Sequence, residues 1–249
     1  MNSSKIKSDF DKNGFVVLEK FFSKPEMEKI NDALHDYVKN TLPNLDANQA
    51  FYEDKEAPKT LMRLQSMDTH HSYFSDLCHS GRLQNLSQAL LGGPVKGKNL
   101  QWFNKLPMTG KLTPPHQDGF YFMLEPNEAL TLWLAQDPID ETNGCMRYIP
   151  GSHKKGMRPH QRTDLLGFSQ GLADYSLIDA ENEVAVCVKP GDLIAHHSMT
   201  IHRADANESS LPRRALGFVY FSKTAIEDIG KAELYRKKLY EDWKKRGKI

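Results

Sequence analysis

Apolar residues fall into two textures along this chain, helical spacing near both ends and short alternating runs between. Met27, Ile30, Leu34 and Val38 recur every three or four residues, which predicts a helix with one face turned inward. Ser23 stands where the N-cap of that helix belongs, Glu26 completes an S-x-x-E capping box, and Phe22 can staple onto Met27. Just upstream, Gly14-Phe15-Val16-Val17-Leu18 reads as a short buried strand. Leu83 to Leu91 predicts a second helix, stopped by Gly92-Gly93-Pro94. The tail from Ala225 to Arg246 predicts a charged helix burying Leu234, Leu239 and Trp243, its lysines and arginines forming a solvated face.

Between about residues 95 and 222 the pattern predicts short strands: Asn99–Leu106, Ala129–Gln136, Gly144–Ile149, Glu183–Val188, Asp192–His197 and Arg214–Phe221. Pro150-Gly151-Ser152 and Lys189-Pro190-Gly191-Asp192 have the chemistry of tight turns. Asp164 to Asp179 carries no pattern and is expected to be an irregular loop. Many short strands with regular turns imply a mainly β sandwich or jelly roll with flanking α-helices. No repeat or Pro/Gly/Ser linker divides the 249 residues, so one domain is expected. Its parts would be N-terminal helices in 1–94, a β core in 95–222 and a C-terminal helix in 223–249.

Composition narrows the function classes. A net charge of +1 supplies no field to recruit nucleic acid or an anionic membrane. Cys78, Cys145 and Cys187 are scattered and odd in number, which argues against a disulfide framework or a zinc ribbon. The N-terminal residues run straight into charged positions without the apolar stretch of a secretory signal, and no run has the length of a membrane span. A cytoplasmic monomer or homodimer acting on a small molecule is the expectation.

Two segments carry the candidate chemistry. The first, P-P-H-Q-D-G-F-Y-F, holds His116 and Asp118; the second, which begins at Gly191-Asp192, holds His202 and Arg213. Two imidazoles and a carboxylate are the ligand set of a mononuclear non-haem Fe(II) site that keeps coordination positions open. On a strand, positions i and i+2 face the same way, so His116 and Asp118 are expected to reach one ion. Arg213 follows the last histidine closely enough to hold the far carboxylate of a 2-oxo acid. Strand alternation puts Arg213, Ala215 and Gly217 on one face and Arg214, Leu216 and Phe218 on the other, so the small-residue face beside Arg213 has room for a ligand. Arg214 fits a surface salt bridge better.

These residues, with Trp133-Leu134-Ala135, Asn143-Gly144-Cys145-Met146, Pro150-Gly151-Ser152-His153-Lys154 and Gly191-Asp192-Leu193-Ile194, occur in an order and spacing that resembles the phytanoyl-CoA dioxygenase family of Fe(II)/2-oxoglutarate oxygenases. The resemblance runs from Phe10-Asp11-Lys12-Asn13-Gly14-Phe15-Val16-Val17 to about Phe221. It implies a double-stranded β-helix (a jelly roll, cupin-like), with His116, Asp118 and His202 as catalytic metal ligands and Fe(II), 2-oxoglutarate and O2 as cofactor and co-substrates. Arg213 would clamp 2-oxoglutarate, and Trp133 matches a position lining its pocket. The retained Asp118 points to a hydroxylase, since related halogenases carry a small residue there.

One position departs from the family: the serine usually found two residues after the distal histidine is Ala204 here. Thr131 or Tyr121 is a candidate for the missing hydroxyl. Lys105 and Gln101 share a strand face with Phe103, so Lys105 is a candidate for a carboxylate and Gln101, with Phe120, for substrate. The basic stretch Lys154 to Arg162, with Arg158 and His160, reads as a lid for an anionic substrate. His196 and His197 are out of ligand register. Two other readings of the same fold stay open: a non-catalytic sensor of metal and 2-oxo acid, and a cupin-like metal hydrolase.

Overall fold

The strand Arg213–Ser222 is buried at every position but Arg214, and its two faces meet two different layers. One face, Leu216, Phe218 and Tyr220, joins Leu132, Leu134, Leu100 and Trp102 in a core that Ile30, Leu34, Phe74, Leu83 and Leu90 close from the helical side. Ala215, on the other face, packs with Trp133, Ile194, Met146, Tyr148 and Ala204 in a second core between two sheets. On this strand Ala215 and Gly217 are the small residues of the inner face next to Arg213, which leaves room there for a site.

In this computed structural model, residues 3–79, 81–165 and 168–245 are described. Among them the larger sheet has seven strands in the order Phe15–Leu18, Leu193–His197, Ala129–Ala135, Arg213–Ser222, Val95–Lys105, Leu61–Leu64 and Ala50–Tyr52. The smaller sheet has four, in the order Val184–Val186, Met146–Tyr148, His202–Ala204 and Thr113–His116. Every pairing is antiparallel. This is a jelly roll with flanking helices, one of the two β architectures the pattern allowed and the one the family resemblance implied. Each of the six predicted strands is present, and the helix at Lys24–Asp36 carries its capping box, with the Glu26 carboxylate accepting from both the backbone N–H and the hydroxyl of Ser23.

Four expectations need correction. Residues 1–94 are not helical throughout, because three strands from this stretch extend the larger sheet. Val38 is exposed while Tyr37 is buried, since the helix widens into a π turn over Tyr37–Thr41 and the larger ring packs edge-on against Phe74. Leu234 is exposed because the C-terminal helix, Ile229–Lys245, buries Ala232 and Trp243 on a stripe that passes through Tyr235 and Leu239. The stretch after Asp164 is not an irregular loop: His160–Leu165 and Phe168–Leu172 form a hairpin, and a short helix spans Leu177–Glu181.

The turn at Lys189–Asp192 sets the start of a site strand. Gly191 has φ +89°, and a Cβ there would stand 2.3 Å from the Phe22 carbonyl oxygen. Gly191→Ala is therefore expected to cost at least about 1–2 kcal/mol from the left-handed backbone alone. For a chain of this size that lowers Tm by roughly 2–4 °C per kcal/mol, with more from the clash. A thermal melt of the variant that matched the wild type would contradict this.

Candidate active site

His116 and His202 are far apart in sequence but stand directly opposite each other on neighbouring antiparallel strands. Their ring centroids are 4.2 Å apart. The Nδ1 of His116 lies 2.8 Å from the Pro114 carbonyl oxygen, and that of His202 lies 2.9 Å from the Thr200 carbonyl oxygen. A carbonyl oxygen only accepts, so both protons sit on Nδ1 and both Nε2 lone pairs are free to bind a metal. Burial, with His116 and His196 nearby, holds His202 well below the ordinary histidine range, which also favours the neutral ligand form.

Asp118 reaches the same point by a different route from strand alternation. The strand ends at His116, and Asp118 has helical backbone angles as the N-cap of the short helix Gly119–Phe122. Its Oδ1 lies 3.5 Å from the His116 Nε2 and 3.8 Å from the His202 Nε2. Its Oδ2 accepts from the Thr131 hydroxyl at 2.8 Å and from the His196 Nε2 at 3.2 Å. The Tyr148 hydroxyl lies 3.0 Å from the His196 Nδ1; donating there, it fixes the imidazole proton on Nε2, facing the carboxylate. One carboxylate oxygen is thus held from behind while the other faces the two imidazoles. Burial pushes the Asp118 carboxyl up, but the surrounding histidines, with the His196 N–H donating to Oδ2, hold it well below its ordinary range.

The three ligand atoms lie within 4.8 Å of one another, so the group could hold one metal ion. Asp68, Cys78 and His79 also converge. There burial pushes the thiol up to about 12, and Asp68 already accepts from the Leu100 N–H and contacts His79.

Arg213 is buried on the inner face, its guanidinium 5.2 Å from the Trp133 ring centroid and its Nε donating to the Gly144 carbonyl oxygen at 3.1 Å. Among the described residues no carboxylate pairs with it. Burial pulls it down to about 10, so it stays charged near neutral pH. Arg214 faces outward and is held by Asp137 through two bonds of 2.9 and 2.6 Å. Lys105 is buried opposite Arg213 and donates to the backbone carbonyls of Ala204 and Asp205.

A cavity of about 320 Å³ opens from two of the three ligands, His116 and Asp118. His116, Asp118, Thr131 and Gly217 line its inner end, Phe103 and Tyr121 its sides, and Tyr235, Leu239, Tyr240 and Trp243 of the C-terminal helix its outer wall. Gln101 lines it too, accepting from Arg63. The hairpin and the C-terminal helix hold each other, through Arg162 with Asp242 and through the Ser169 and Tyr235 hydroxyls 2.7 Å apart.

Several sequence candidates are occupied otherwise. Thr131 spends its hydroxyl proton on Asp118, and the Tyr121 hydroxyl donates to the Gln170 carbonyl while accepting from its N–H. Neither hydroxyl is therefore placed as the stand-in for the absent serine. Arg158 is not an anion receptor for substrate, because Asp174 and Asp179 of the same segment already neutralise it, at 3.0 and 2.8 Å. His160 stacks on Phe120 with centroids 4.5 Å apart, accepts from the Gln117 N–H, and has its other ring nitrogen on the Arg158 carbonyl. Both rings thus pack against each other rather than face a ligand.

Two contributors escaped the sequence reading. Gln117, between the two proximal ligands, is fully buried, and its side chain bonds the backbones of Gly156, Arg158 and Met199, tying the stretch that holds Gly156 and Arg158 to the metal-site strand. His196 holds the ligand carboxylate; alternation with the buried Ile194 would have put it on the inner face, a position where a histidine needs a partner.

The sequence model of the family described as Phytanoyl-CoA dioxygenase (PhyH) matches residues 10–215. The chain is 24% identical to the peroxisomal phytanoyl-CoA dioxygenase of Bos taurus, over 96% of this chain and 80% of that one. It is 26% identical to a probable alpha-ketoglutarate-dependent hypophosphite dioxygenase of Stutzerimonas stutzeri, over 87% of this chain and 78% of that one. It shares its fold with the epimerase SnoN solved with Fe3+, alpha ketoglutarate and nogalamycin RO, with a TM-score of 0.71 at 22% identity over 90% of this chain and 85% of that one.

Proposed function

This chain belongs to the phytanoyl-CoA dioxygenase family, and from that premise we propose that it hydroxylates a compact small molecule, releasing succinate and carbon dioxide. The family uses Fe(II), 2-oxoglutarate and dioxygen, and the coarser activity, that of a 2-oxoglutarate-dependent oxygenase, follows from membership. The observation that carries the reading to these residues is the pairing of an open-faced His-Asp-His set with a buried arginine that has no carboxylate among the described residues.

The donor set fits the metal, since two neutral imidazoles and one carboxylate suit Fe(II) and leave positions for further ligands. His116, Asp118 and His202 would hold the iron, and Arg213 the far carboxylate of 2-oxoglutarate by two parallel N–H bonds. When bound, iron and 2-oxoglutarate together turn dioxygen into the oxidant, with the 2-oxo acid losing carbon dioxide. The protein's own part is positional. Pro114 and Thr200 keep both imidazoles in the metal-binding tautomer, while Thr131 and His196 orient the carboxylate. Trp133 keeps the guanidinium in place by stacking. The aromatic walls exclude water and hold a substrate C–H bond toward the metal.

A cavity of about 320 Å³ is at the lower end of ligand pockets, so the substrate is a compact molecule, not an enclosed acyl-CoA. Its outer wall lies beyond the matched residues 10–215, so the C-terminal helix would contribute to substrate choice from outside the family pattern. Gln101 and the cavity cation Arg63 are the polar groups proposed to orient it.

Adding Fe(II) and 2-oxoglutarate to the metal-free protein without oxygen is expected to produce a weak visible charge-transfer band that requires both. Succinate release across a panel of small molecules would then identify the substrate. Bound iron without the band would favour the hydrolase reading, and a band with no conversion of 2-oxoglutarate to succinate the sensor reading.

A further inference from the structure

Lys105 stands directly opposite Arg213 in the pairing of Val95–Lys105 with Arg213–Ser222, and both side chains are buried. Like charges opposite each other across a ladder repel, and burial removes the water that would screen them. The other titratable groups facing Lys105 are Asp205 and Arg203 from the distal-histidine segment and Cys145 beside Met146. The Asp205 carboxylate is already committed to Arg147 and Arg203.

The Lys105 Nζ donates instead to two backbone carbonyls, of Ala204 and Asp205. Two acceptors match the two N–H bonds of a neutral amine, whereas an ammonium group carries a third, and among the described residues Nζ makes only these two bonds. Burial and the neighbouring Arg213 also pull Lys105 down to about 6. Ala204 occupies the place where the family resemblance puts a serine on the co-substrate's carboxylate, and Lys105 reaches that residue's own backbone.

We propose that Lys105 is the second anchor of the 2-oxoglutarate distal carboxylate, neutral in the free protein and taking up one proton as that carboxylate settles beside Arg213. The step balances: amine, solvent proton and carboxylate become an ammonium–carboxylate pair, with no electron transferred. It rests on the co-substrate reading above. The third N–H then meets an oxygen of the ligand, and the bound anion offsets two facing cations. Lys105 acts as a positioning residue for the co-substrate, in place of the missing hydroxyl.

The test is calorimetric titration of 2-oxoglutarate into Mn(II)-loaded protein at pH 8, in buffers of different ionisation heat. The wild type is expected to take up about one proton per ligand bound, and Lys105→Met about none. Because the bound form holds the extra proton, wild-type affinity tightens as pH falls from about 9 toward about 6, by up to roughly tenfold per pH unit, and Lys105→Met stays flat. Lys105→Arg, always charged, should bind without uptake and serves if the methionine variant does not fold. Absence of uptake in the wild type, or equal uptake in every variant, overturns the proposal. Failure of the wild type to bind 2-oxoglutarate at all overturns the co-substrate reading itself, and this proposal with it.

Discussion

Asp118→Ala is expected to bring iron-dependent 2-oxoglutarate turnover down to background. The carboxylate is the only anion among the three candidate ligands, and removing it leaves two neutral imidazoles to hold a dication. It also leaves the buried His196 and the Thr131 hydroxyl aimed at an empty position. Losing just a hydrogen-bond partner of a metal ligand costs about 10–100-fold in affinity or activity, so losing the ligand should cost more. His202→Ala is expected to do the same, since it removes one half of the cross-strand imidazole pair. Metal content after dialysis and succinate release measure both effects. Full turnover in either variant would refute the ligand assignment.

Arg213→Ala is expected to raise the Kd and KM for 2-oxoglutarate by roughly two to three and a half orders of magnitude, the equivalent of about 3–5 kcal/mol for a buried carboxylate left without its partner. The size of the effect follows from burial: the guanidinium lies inside the jelly roll over Trp133, where water does not replace it. The rate at saturating 2-oxoglutarate should fall much less, because the metal ligands are untouched. Arg214→Ala is the control. Its guanidinium is half-exposed and paired with Asp137, so it should alter stability slightly and 2-oxoglutarate affinity hardly at all. Titrating the visible band in both variants decides between the two arginines; a loss confined to Arg214→Ala would reverse the assignment.

Alternation along a strand was a dependable guide wherever the strand was long. It separated Arg213 from Arg214 because Arg213–Ser222 pairs on both sides and is buried on both faces, so a one-residue slip would have buried Arg214. The same rule failed for His116 and Asp118, since the strand stops at His116 and the chain turns helical within two residues. No local pattern marks that change, because Gln117, which makes it possible, acts through three backbone groups remote in sequence. The Lys154–Arg162 stretch misled for a related reason. Its charge was visible, but Asp174 and Asp179, which neutralise Arg158, come into reach only when the hairpin and the short helix after it fold.

The sequence by itself determined a β sandwich or jelly roll, its turns and the residue types of a metal and 2-oxo-acid site, because periodicity and donor chemistry are local properties that survive in one dimension; the choice of jelly roll came from the family resemblance. Only the tertiary structure decided how those residues are held: His196 behind Asp118, Trp133 beneath Arg213, Lys105 against Arg213, and the C-terminal helix over the cavity. Each of these depends on which strands pair and in what register. Register is fixed by the summed burial of whole sheet faces, a quantity that no single segment carries.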